Sequence, residues 1–401
     1  MTVEPKLLVA APTAAATPKF AAGRLPLMAF VDAETERGLQ ETSALLGRSV
    51  IMRGGIAKAI EYLGEQRSPQ VLIVDISGVD LPLSQIQILA DVCEPGTNVV
   101  ALGDHNDVGL YRDLLDLGVT NYIVKPLTRE LLTKALAPKP IQGDAGRAAL
   151  KLGKVVSFIG ARGGVGATTL AANLSWYLAN RQGRRVALVD LDVQQGDCAL
   201  LFNIENTAGF RDALANPLRV DNLLLDRIMT QVGERLFVLG SEEPLDDDIR
   251  FTASAIDTLF SVLRSQFHYI IIDVPRIPSS AYRRALEVAD SRVIVVDQTM
   301  RSMRDAVRLV ELFDEQPDRN IFVVNRVGEA GPNALNLQEI KSVLQVQPSN
   351  LIPFLPKLVT PAAHHALIAA AKRSKFADAV GNLALELSGR QRRRWWRRAK
   401  Q

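Results

Sequence analysis

A glycine-rich segment, GARGGVGATT, occupies residues 160–169 and follows directly on an apolar stretch. At a turn from strand to helix, glycines let backbone N–H groups and the positive end of the helix approach an anion closely. The segment therefore predicts a phosphate-binding loop, although glycine-rich turns of this kind also occur without a ligand. The usual loop carries a lysine after its last glycine, and here that position is Ala167.

Acidic residues follow two other apolar stretches and are candidates for the same site. The segment YIIIDVP places Asp273 after four apolar residues, which is typical of a carboxylate that holds Mg²⁺ through water. The segment VALVDLDVQQGD places Asp190 and Asp192 two residues apart, and in one extended strand they would share a face. We therefore expect carboxylates beside the glycine-rich loop, where Thr168 is placed to coordinate Mg²⁺.

The elements that must position these residues alternate between apolar strands and helical patterns from Lys154 onward. Strands rich in Val and Ile with little alternation favour a parallel sheet covered on both faces. Ligands of such sheets bind at the carboxyl ends of the strands, where Gly160 and Asn325 also fall. The six candidate strands span residues 155–160, 185–192, 235–240, 269–274, 292–297 and 320–325.

Residues 26–137 repeat this alternation on a smaller scale, with five apolar runs separated by amphipathic stretches. The expected fold class is α/β, with two doubly wound parallel-sheet domains: a smaller one of flavodoxin-like strand order and a larger one over residues 154–388. Prolines and glycines mark residues 138–153 as a linker. The Ala, Pro and Thr bias of residues 1–25 predicts a disordered leader.

The composition is that of an ordinary globular protein: 47% of the 401 residues are hydrophobic, enough to bury the cores of two or three domains. Two cysteines are too few for a disulfide framework, and we recognise no signal peptide or transmembrane run, so a cytoplasmic protein is expected. Residues 390–401 hold six arginines, one lysine and no acid, or +7, so the net charge of +3 leaves 3 − 7 = −4 for the rest. An acidic body with a basic tail (residues 389–401) argues against a generally nucleic-acid-binding surface.

The loop and the carboxylates together resemble the ParA/MinD family of P-loop ATPases over about residues 154–388. The resemblance implies ATP and Mg²⁺ as cofactors and a homodimer with ATP between its subunits. Asp192 would orient the attacking water, and Arg162 stands where the family carries a lysine that reaches the partner's phosphates. The metal would be coordinated, directly or through water, by Thr168, Asp192 and Asp273. The nucleotide contacts would come from Gly163, Gly164, Val165, Gly166, Ala167, Thr168, Thr169 and Asn325, with Asn325 where the family often reads adenine.

The missing lysine removes one charge-assisted contact to phosphate, which is worth ~1.5–3 kcal/mol, or roughly 10- to 150-fold in affinity. Hydrolysis suffers more, because the charge that develops on the phosphoryl oxygens needs preorganised cations. Arg162 is always charged and can bind phosphate bidentately, so it could supply part of this charge. We therefore expect nucleotide binding with weak or no hydrolysis.

The smaller domain resembles the response-regulator receiver domain. Asp75 ends the third strand, where receivers carry a phospho-acceptor, and Lys125 ends the fifth, where receivers carry a lysine. Receivers usually place two adjacent acids after the first strand, but here Asp32 precedes Ala33, and Gly103 replaces their threonine or serine. The resemblance is to an atypical receiver, in which Asp75 is either a phospho-acceptor or part of a structural ion pair with Lys125.

An atypical receiver before a ParA/MinD-like ATPase is similar to the CpaE/TadZ family. That resemblance implies a nucleotide-binding switch and localisation scaffold for Flp (Tad) type IV pilus assembly at the cell pole. Its partners would be the secretion ATPase and other Tad components. Two alternatives stay open. The first is a partition-type ATPase that moves on DNA, although Ala167 and the acidic body argue against it. The second is a pure interaction protein with a vestigial nucleotide site.

The basic tail combines its arginines with two adjacent tryptophans, which favour the membrane–water interface. At ~1 kcal/mol per basic residue near an anionic leaflet, seven charges limit the attraction to about 7 kcal/mol. MinD-like relatives use a C-terminal amphipathic segment in this way, so the resemblance favours peripheral binding at the inner membrane. Arginine with tryptophan also suits stacking on single-stranded nucleic acid, which is the less favoured partner.

Overall fold

The structure is a computed structural model, which describes residues 6–8, 25–41, 49–136, 152–247, 249–313, 315–329 and 331–388. The basic tail and most of the predicted leader and linker lie outside the described residues. The chain divides into two compact units, Met1–Leu152 and Gly153–Gln401, which we call the first and the second unit.

The first unit contains a six-stranded sheet in the order β1-β3-β2-β4-β5-β6. Strands β2 to β6 are parallel to their neighbours, and β1 pairs antiparallel with β3. Without β1, the order is the flavodoxin-like one that the sequence predicts, and β1 itself lies inside the segment expected to be disordered. The strands are β1 (Lys6–Leu8), β2 (Leu27–Val31), β3 (Ser49–Arg53), β4 (Val71–Asp75), β5 (Asn98–Gly103) and β6 (Asn121–Val124).

Helices cover both faces of this sheet. All five residues of β2 are buried, because Met28 and Phe30 face one core cluster while Leu27 and Ala29 face the other. Strands enclosed in this way have apolar residues at successive positions rather than at alternate ones. The described helices of the unit are Ala33–Glu41, Gly55–Glu65, Pro82–Val92, Val108–Asp116 and Arg129–Leu136.

The second unit contains an eight-stranded sheet in the order β14-β13-β12-β7-β11-β8-β10-β9, parallel except for the β9–β10 pair. All six predicted strands are present. The two that were not predicted, β9 and β14, are short edge strands without a long apolar run. The strands are β7 (Lys154–Gly160), β8 (Val186–Asp190), β9 (Thr230–Val232), β10 (Leu236–Leu239), β11 (Tyr269–Asp273), β12 (Ser291–Val296), β13 (Asn320–Val327) and β14 (Asn350–Pro353).

Helices lie on both faces of the larger sheet as well. The helix Ala167–Asn180, which begins at the glycine-rich loop, packs so tightly on Lys375–Leu387 that a Cβ added to Gly381 would lie 2.6 Å from the Tyr177 hydroxyl. The other α-helices are Cys198–Leu201, Phe210–Ala215, Asn222–Ile228, Ala253–Arg264, Ser280–Glu287, Met300–Val310, Leu337–Leu344 and Pro356–His364. Within the part of the chain that the structure describes, none of the helices has both the length and the apolar character needed to span a bilayer.

Candidate nucleotide-binding site

The glycine-rich loop joins the end of β7 to the helix that begins at Ala167. Val165, which is 2% exposed, anchors the middle of the loop in the core. Gly164 and Gly166 have φ angles of 78° and 90°, a left-handed conformation that favours glycine. A Cβ added to Gly163 or Gly164 would meet nothing within 4 Å, so the front of the loop is open to a ligand.

Two residues of β13 hold this loop from the side. The Asn325 side-chain amide donates to the Val165 carbonyl at 2.7 Å, and the Arg326 guanidinium donates to the Gly164 carbonyl at 3.4 Å. A Cβ added to Gly166 would lie 2.6 Å from the Asn325 nitrogen, so glycine is needed there for close packing as well. Asn325 was predicted to lie at this site, and its side-chain amide indeed contacts the loop backbone. Its role in binding adenine stays a prediction.

Arg326 is a residue of this site that the sequence reasoning missed. It has a left-handed φ of 56°, its guanidinium lies 3.3 Å from Glu329, and it stacks over the Phe354 ring at 6.0 Å. The only signal in the sequence is that it directly follows Asn325.

The predicted metal residues Thr168 and Asp273 lie together at the carboxyl end of the sheet. The Thr168 side chain lies close enough to the Asp273 carboxylate to lower its pKa, and Asp273 is 8% exposed at the end of β11. Magnesium in proteins takes oxygen ligands of these two kinds. The hydroxyl and the carboxylate are therefore in place to hold a hydrated divalent cation at the foot of the loop.

Asp190 and Asp192 do not share a strand face, because β8 ends at Asp190. Asp190 is buried, and its carboxylate accepts hydrogen bonds from the backbone N–H groups of Asp192 at 3.1 Å and Cys198 at 3.0 Å. Asp192 lies in the following loop, where it accepts a bond from the Gln195 N–H at 3.0 Å. A Cβ added to Gly196 would lie 2.4 Å from the Asp190 carboxylate, so this turn requires glycine.

The two buried carboxylates repel each other. Burial raises the pKa of Asp273 to about 7, and the charge of Asp190 adds to the effect. Burial likewise raises the pKa of Asp190 to about 6, against the hydrogen bonds from Cys198 and Asp192. Ligand atoms of Asp190, Cys198 and Asp273 lie within 4.8 Å of one another. A divalent cation would relieve this repulsion, so the residues fit the metal that the sequence predicts.

The remaining predicted residues lie around this cluster. Ala167 is the first residue of the helix and is partly buried, so no cationic side chain extends from the lysine position. Arg162 lies at the front of the loop and is half-buried, and Thr169 follows Thr168 in the first helical turn. That Arg162 reaches a partner's nucleotide stays a prediction.

In the first unit, the structure brings the predicted Asp32, Asp75 and Lys125 together. The Lys125 ammonium lies 2.6 Å from a carboxylate oxygen of both acids. Burial acts to raise the pKa of Asp32, but hydrogen bonds from Lys125 and Thr35 prevail and hold it at about 2. This arrangement is compatible both with a structural ion pair between Asp75 and Lys125 and with Asp75 as a phospho-acceptor. Phosphorylation of Asp75 stays a prediction.

Gly103 leaves room for a tyrosine that the sequence reasoning did not identify. A Cβ on Gly103 would lie 2.4 Å from the Tyr122 hydroxyl, which donates to the His105 carbonyl at 2.8 Å. The space beside the missing threonine or serine is thus filled by a buried aromatic ring, which ties β6 to the loop after β5.

Comparisons with known proteins concern mainly the second unit. Residues 153–322 match the family described as AAA domain. The septum site-determining protein MinD of Synechocystis sp. is 27% identical over 246 residues, which cover 59% of this chain and 90% of that protein. The structure of MinD complexed with Mg-ADP from Pyrococcus horikoshii OT3 has 21% identity and a TM-score of 0.52, covering 59% of this chain and 96% of that one.

A pilus assembly protein CpaE from Caulobacter crescentus is 31% identical over 28% of this chain and 90% of that chain, with a TM-score of 0.27. The family match, the MinD relative and the shared fold agree with the geometry of the loop and its carboxylates. The second unit therefore has the P-loop NTPase fold of the ParA and MinD ATPases, and its residues 153–322 are similar to an AAA domain.

Proposed function

We propose that this chain is a nucleotide-dependent switch and localisation scaffold for Flp (Tad) type IV pilus assembly. The observation that carries the nucleotide part is the proximity of the Thr168 side chain to the Asp273 carboxylate, beside a glycine loop whose front is open. The pilus part rests on the combination, in one chain, of a receiver-like unit with a ParA/MinD-like domain. Docking at the cell pole or on the inner membrane belongs to this proposal.

Binding would use the parts of the site that are intact. The loop N–H groups at Gly163 and Gly164 would hold the phosphates, and Thr168 and Asp273 would hold Mg²⁺. Bound Mg²⁺ supplies charge neutralisation on the phosphate oxygens. Asn325 and Arg326 fix the loop from β13, so the phosphate cradle is preorganised before a ligand arrives.

Turnover would be weak because the site has no lysine at Ala167. The charge that develops during phosphoryl transfer is stabilised mainly by cations already in position. Asp192 is placed in the loop after β8, where it could orient water, but water alone does not replace the missing charge. The domain would therefore hold a nucleotide and persist in the bound, dimeric state, as a scaffold requires.

Calorimetric titration of the full chain with ATP and Mg²⁺ tests the nucleotide part. We expect binding by the wild type, and its loss or a reduction of about tenfold or more in Thr168→Ala, which removes the metal-side hydroxyl. Sedimentation velocity with ATP should show dimers in the wild type and fewer in Arg162→Ala. Equal titration curves for wild type and Thr168→Ala would contradict the proposed site.

The pilus part needs a test in cells. We expect that deletion of the gene abolishes Flp pili, that the wild-type gene restores them, and that the Thr168→Ala gene does not. Arg219→Ala, an exposed residue outside the site, is the matched control and should restore pili. Normal piliation of the deletion strain would contradict the pilus assignment. Full restoration by Thr168→Ala would contradict the nucleotide-dependent switch.

A further inference from the structure

We infer that the helix Met300–Val310, together with Arg276, forms a docking surface for an acidic segment of a partner protein. We call these residues the arginine face. The inference does not depend on nucleotide binding, because it rests on the charge and exposure of the helix alone.

The helix presents its arginines to solvent along one side. Arg301, Arg304 and Arg308 are exposed and are spaced three and four residues apart, which places them on the same helical face. The opposite side packs into the core through Ser302, Met303 and Ala306. Like charges at these spacings destabilise a helix, so the arrangement does not serve the fold of the unit.

One carboxylate, Asp305, lies among three of these guanidinium groups. Asp305 is 2.9 Å from the Arg304 guanidinium and 3.8 Å from that of Arg276, which comes from the loop after β11. The hydrogen bond from Arg304 lowers the pKa of Asp305, and the charges of Arg304, Arg276 and Arg308 lower it further. Counting Glu311, which directly follows the helix and is exposed, four arginines and two acids leave 4 − 2 = +2 on a body whose net charge before residue 390 is −4. The surplus is available to an external anion.

Exposed apolar side chains flank the arginines, and they favour an anionic partner that also carries apolar groups. Met300 is 62% exposed at the start of the helix, and Leu312 is 49% exposed just past its end. A protein segment that carries both carboxylates and apolar side chains matches such a surface, and guanidinium groups pair bidentately with carboxylates. Duplex DNA fits less well, because proteins that bind it typically neutralise about 6–10 phosphates. The helix arginines span only eight residues, or ~10 Å.

Arg276 connects this surface to the candidate nucleotide site. It lies three residues after Asp273, in the loop that leaves the carboxyl end of β11. A partner carboxylate that binds Arg276 competes with Asp305 for it. The bound segment would therefore contact the loop adjacent to the carboxylate that we place at Mg²⁺.

Fluorescence anisotropy with the full chain tests the inference. The probe is a labelled amphipathic helical peptide of glutamate and leucine, and the same peptide with lysine for glutamate is its control. We expect the glutamate peptide to bind the wild type, with affinity that falls as salt rises. The double variant Arg301→Glu/Arg308→Glu should bind it about tenfold or more weakly, and Arg301→Gln/Arg308→Gln should lie in between.

The matched control is Arg219→Glu/Arg227→Glu, which changes the charge equally at two exposed arginines elsewhere in the second unit. The basic tail is common to all of these proteins, so differences between them report on the helix. Equal losses in the two glutamate variants would overturn the inference, as would no binding of the peptide to the wild type. Tighter binding of duplex DNA or of phosphatidylserine vesicles through the same two arginines would also overturn it.

Discussion

Each unit of the molecule brings two acidic side chains together at the carboxyl edge of its sheet, and the two pairs differ in their cation. In the first unit, Lys125 lies 2.6 Å from both Asp32 and Asp75. In the second unit, Asp190 and Asp273 are both buried, whereas Asp32 of the first pair is exposed, and the nearby lysine position is Ala167. The first pair of carboxylates is neutralised by a lysine of the same unit, whereas the second pair needs a bound cation.

This difference gives the two sites opposite responses to pH. The pKa of Asp32 lies at about 2, below its ordinary value of 3.8, so its contribution to stability is present above 3.8 and is lost as the pH falls through 2. The pKa values of Asp190 and Asp273 lie at about 6 and 7, above 3.8. Their contribution is complete below 3.8 and is lost as the pH rises through 6 and 7. A satisfied ion cluster and an incomplete cation site can thus arise from similar residues.

Removing the cation from the first unit should have the largest effect. Lys125→Met keeps most of the side-chain volume but leaves the buried Asp75 carboxylate without its cation, which should cost about 3 kcal/mol of unfolding free energy. Hydrogen exchange of the β4 amides as a function of urea measures this cost. Lys58→Met, which removes an exposed pair with Glu61, is the control and should cost below about 1 kcal/mol. Similar costs for the two variants would contradict the role given to Lys125.

The second pair depends on a tight turn, and a single methyl group should disturb it. Gly196→Ala places a Cβ at 2.4 Å from the Asp190 carboxylate and 2.5 Å from the Asp192 carbonyl, so we expect a loss of about 2 kcal/mol from overpacking. Gly163→Ala, whose Cβ would meet nothing within 4 Å, should be nearly neutral. Thermal unfolding of both variants measures the contrast. Equal melting temperatures would show that Asp190 is not confined by this turn.

Without metal, the second unit should become less stable as the pH rises from 3.8 to about 7, because its raised carboxyl pKa values favour the protonated, folded form. Asp273→Asn removes one of the two titrating groups and should reduce this loss by about 1 kcal/mol. Unfolding in the presence of a chelator, followed over this pH range, tests the prediction. An unchanged pH profile in Asp273→Asn would contradict the coupling of the two acids.

The smallest effect is expected at Arg326, whose contact with the loop is long and solvent-exposed. Arg326→Ala should weaken ATP binding by less than about 1 kcal/mol, or about fivefold, because Asn325 still holds the Val165 carbonyl. Asn325→Ala should weaken it more, since it removes a buried bond at 2.7 Å. A larger loss in Arg326→Ala than in Asn325→Ala would reverse this ranking.

The sequence predicted the elements of both units well, because their strands are buried on both faces and form uninterrupted apolar runs. It failed where the deciding contact is remote in the chain. The match between Gly103 and Tyr122 and the reach of Arg326 to Gly164 join residues 19 and 162 positions apart, and no local pattern encodes them. The end of β8 at Asp190 was missed for another reason, since the apolar Leu191 continues the strand pattern after the backbone has turned.

The site residues were predicted because they fall near the carboxyl ends of strands or at the start of the helix that follows the loop. Thr168, Asp273 and Asn325 converge as the topology of a parallel sheet requires. What the sequence could not provide was the state of the carboxylates. The raised pKa values of Asp190 and Asp273 depend on burial, and burial depends on the whole fold.

The decisive experiment restores the cation that the second unit lacks. Calorimetric titration with ATP and Mg²⁺ should show measurable binding by the wild type and, in Ala167→Lys, binding tighter by roughly 10- to 150-fold, because the lysine adds a charge-assisted contact worth ~1.5–3 kcal/mol. That result would establish a working nucleotide site with reduced catalytic power. No binding by either protein, with the fold intact, would show that the site is a relic and that the chain assembles through contacts alone.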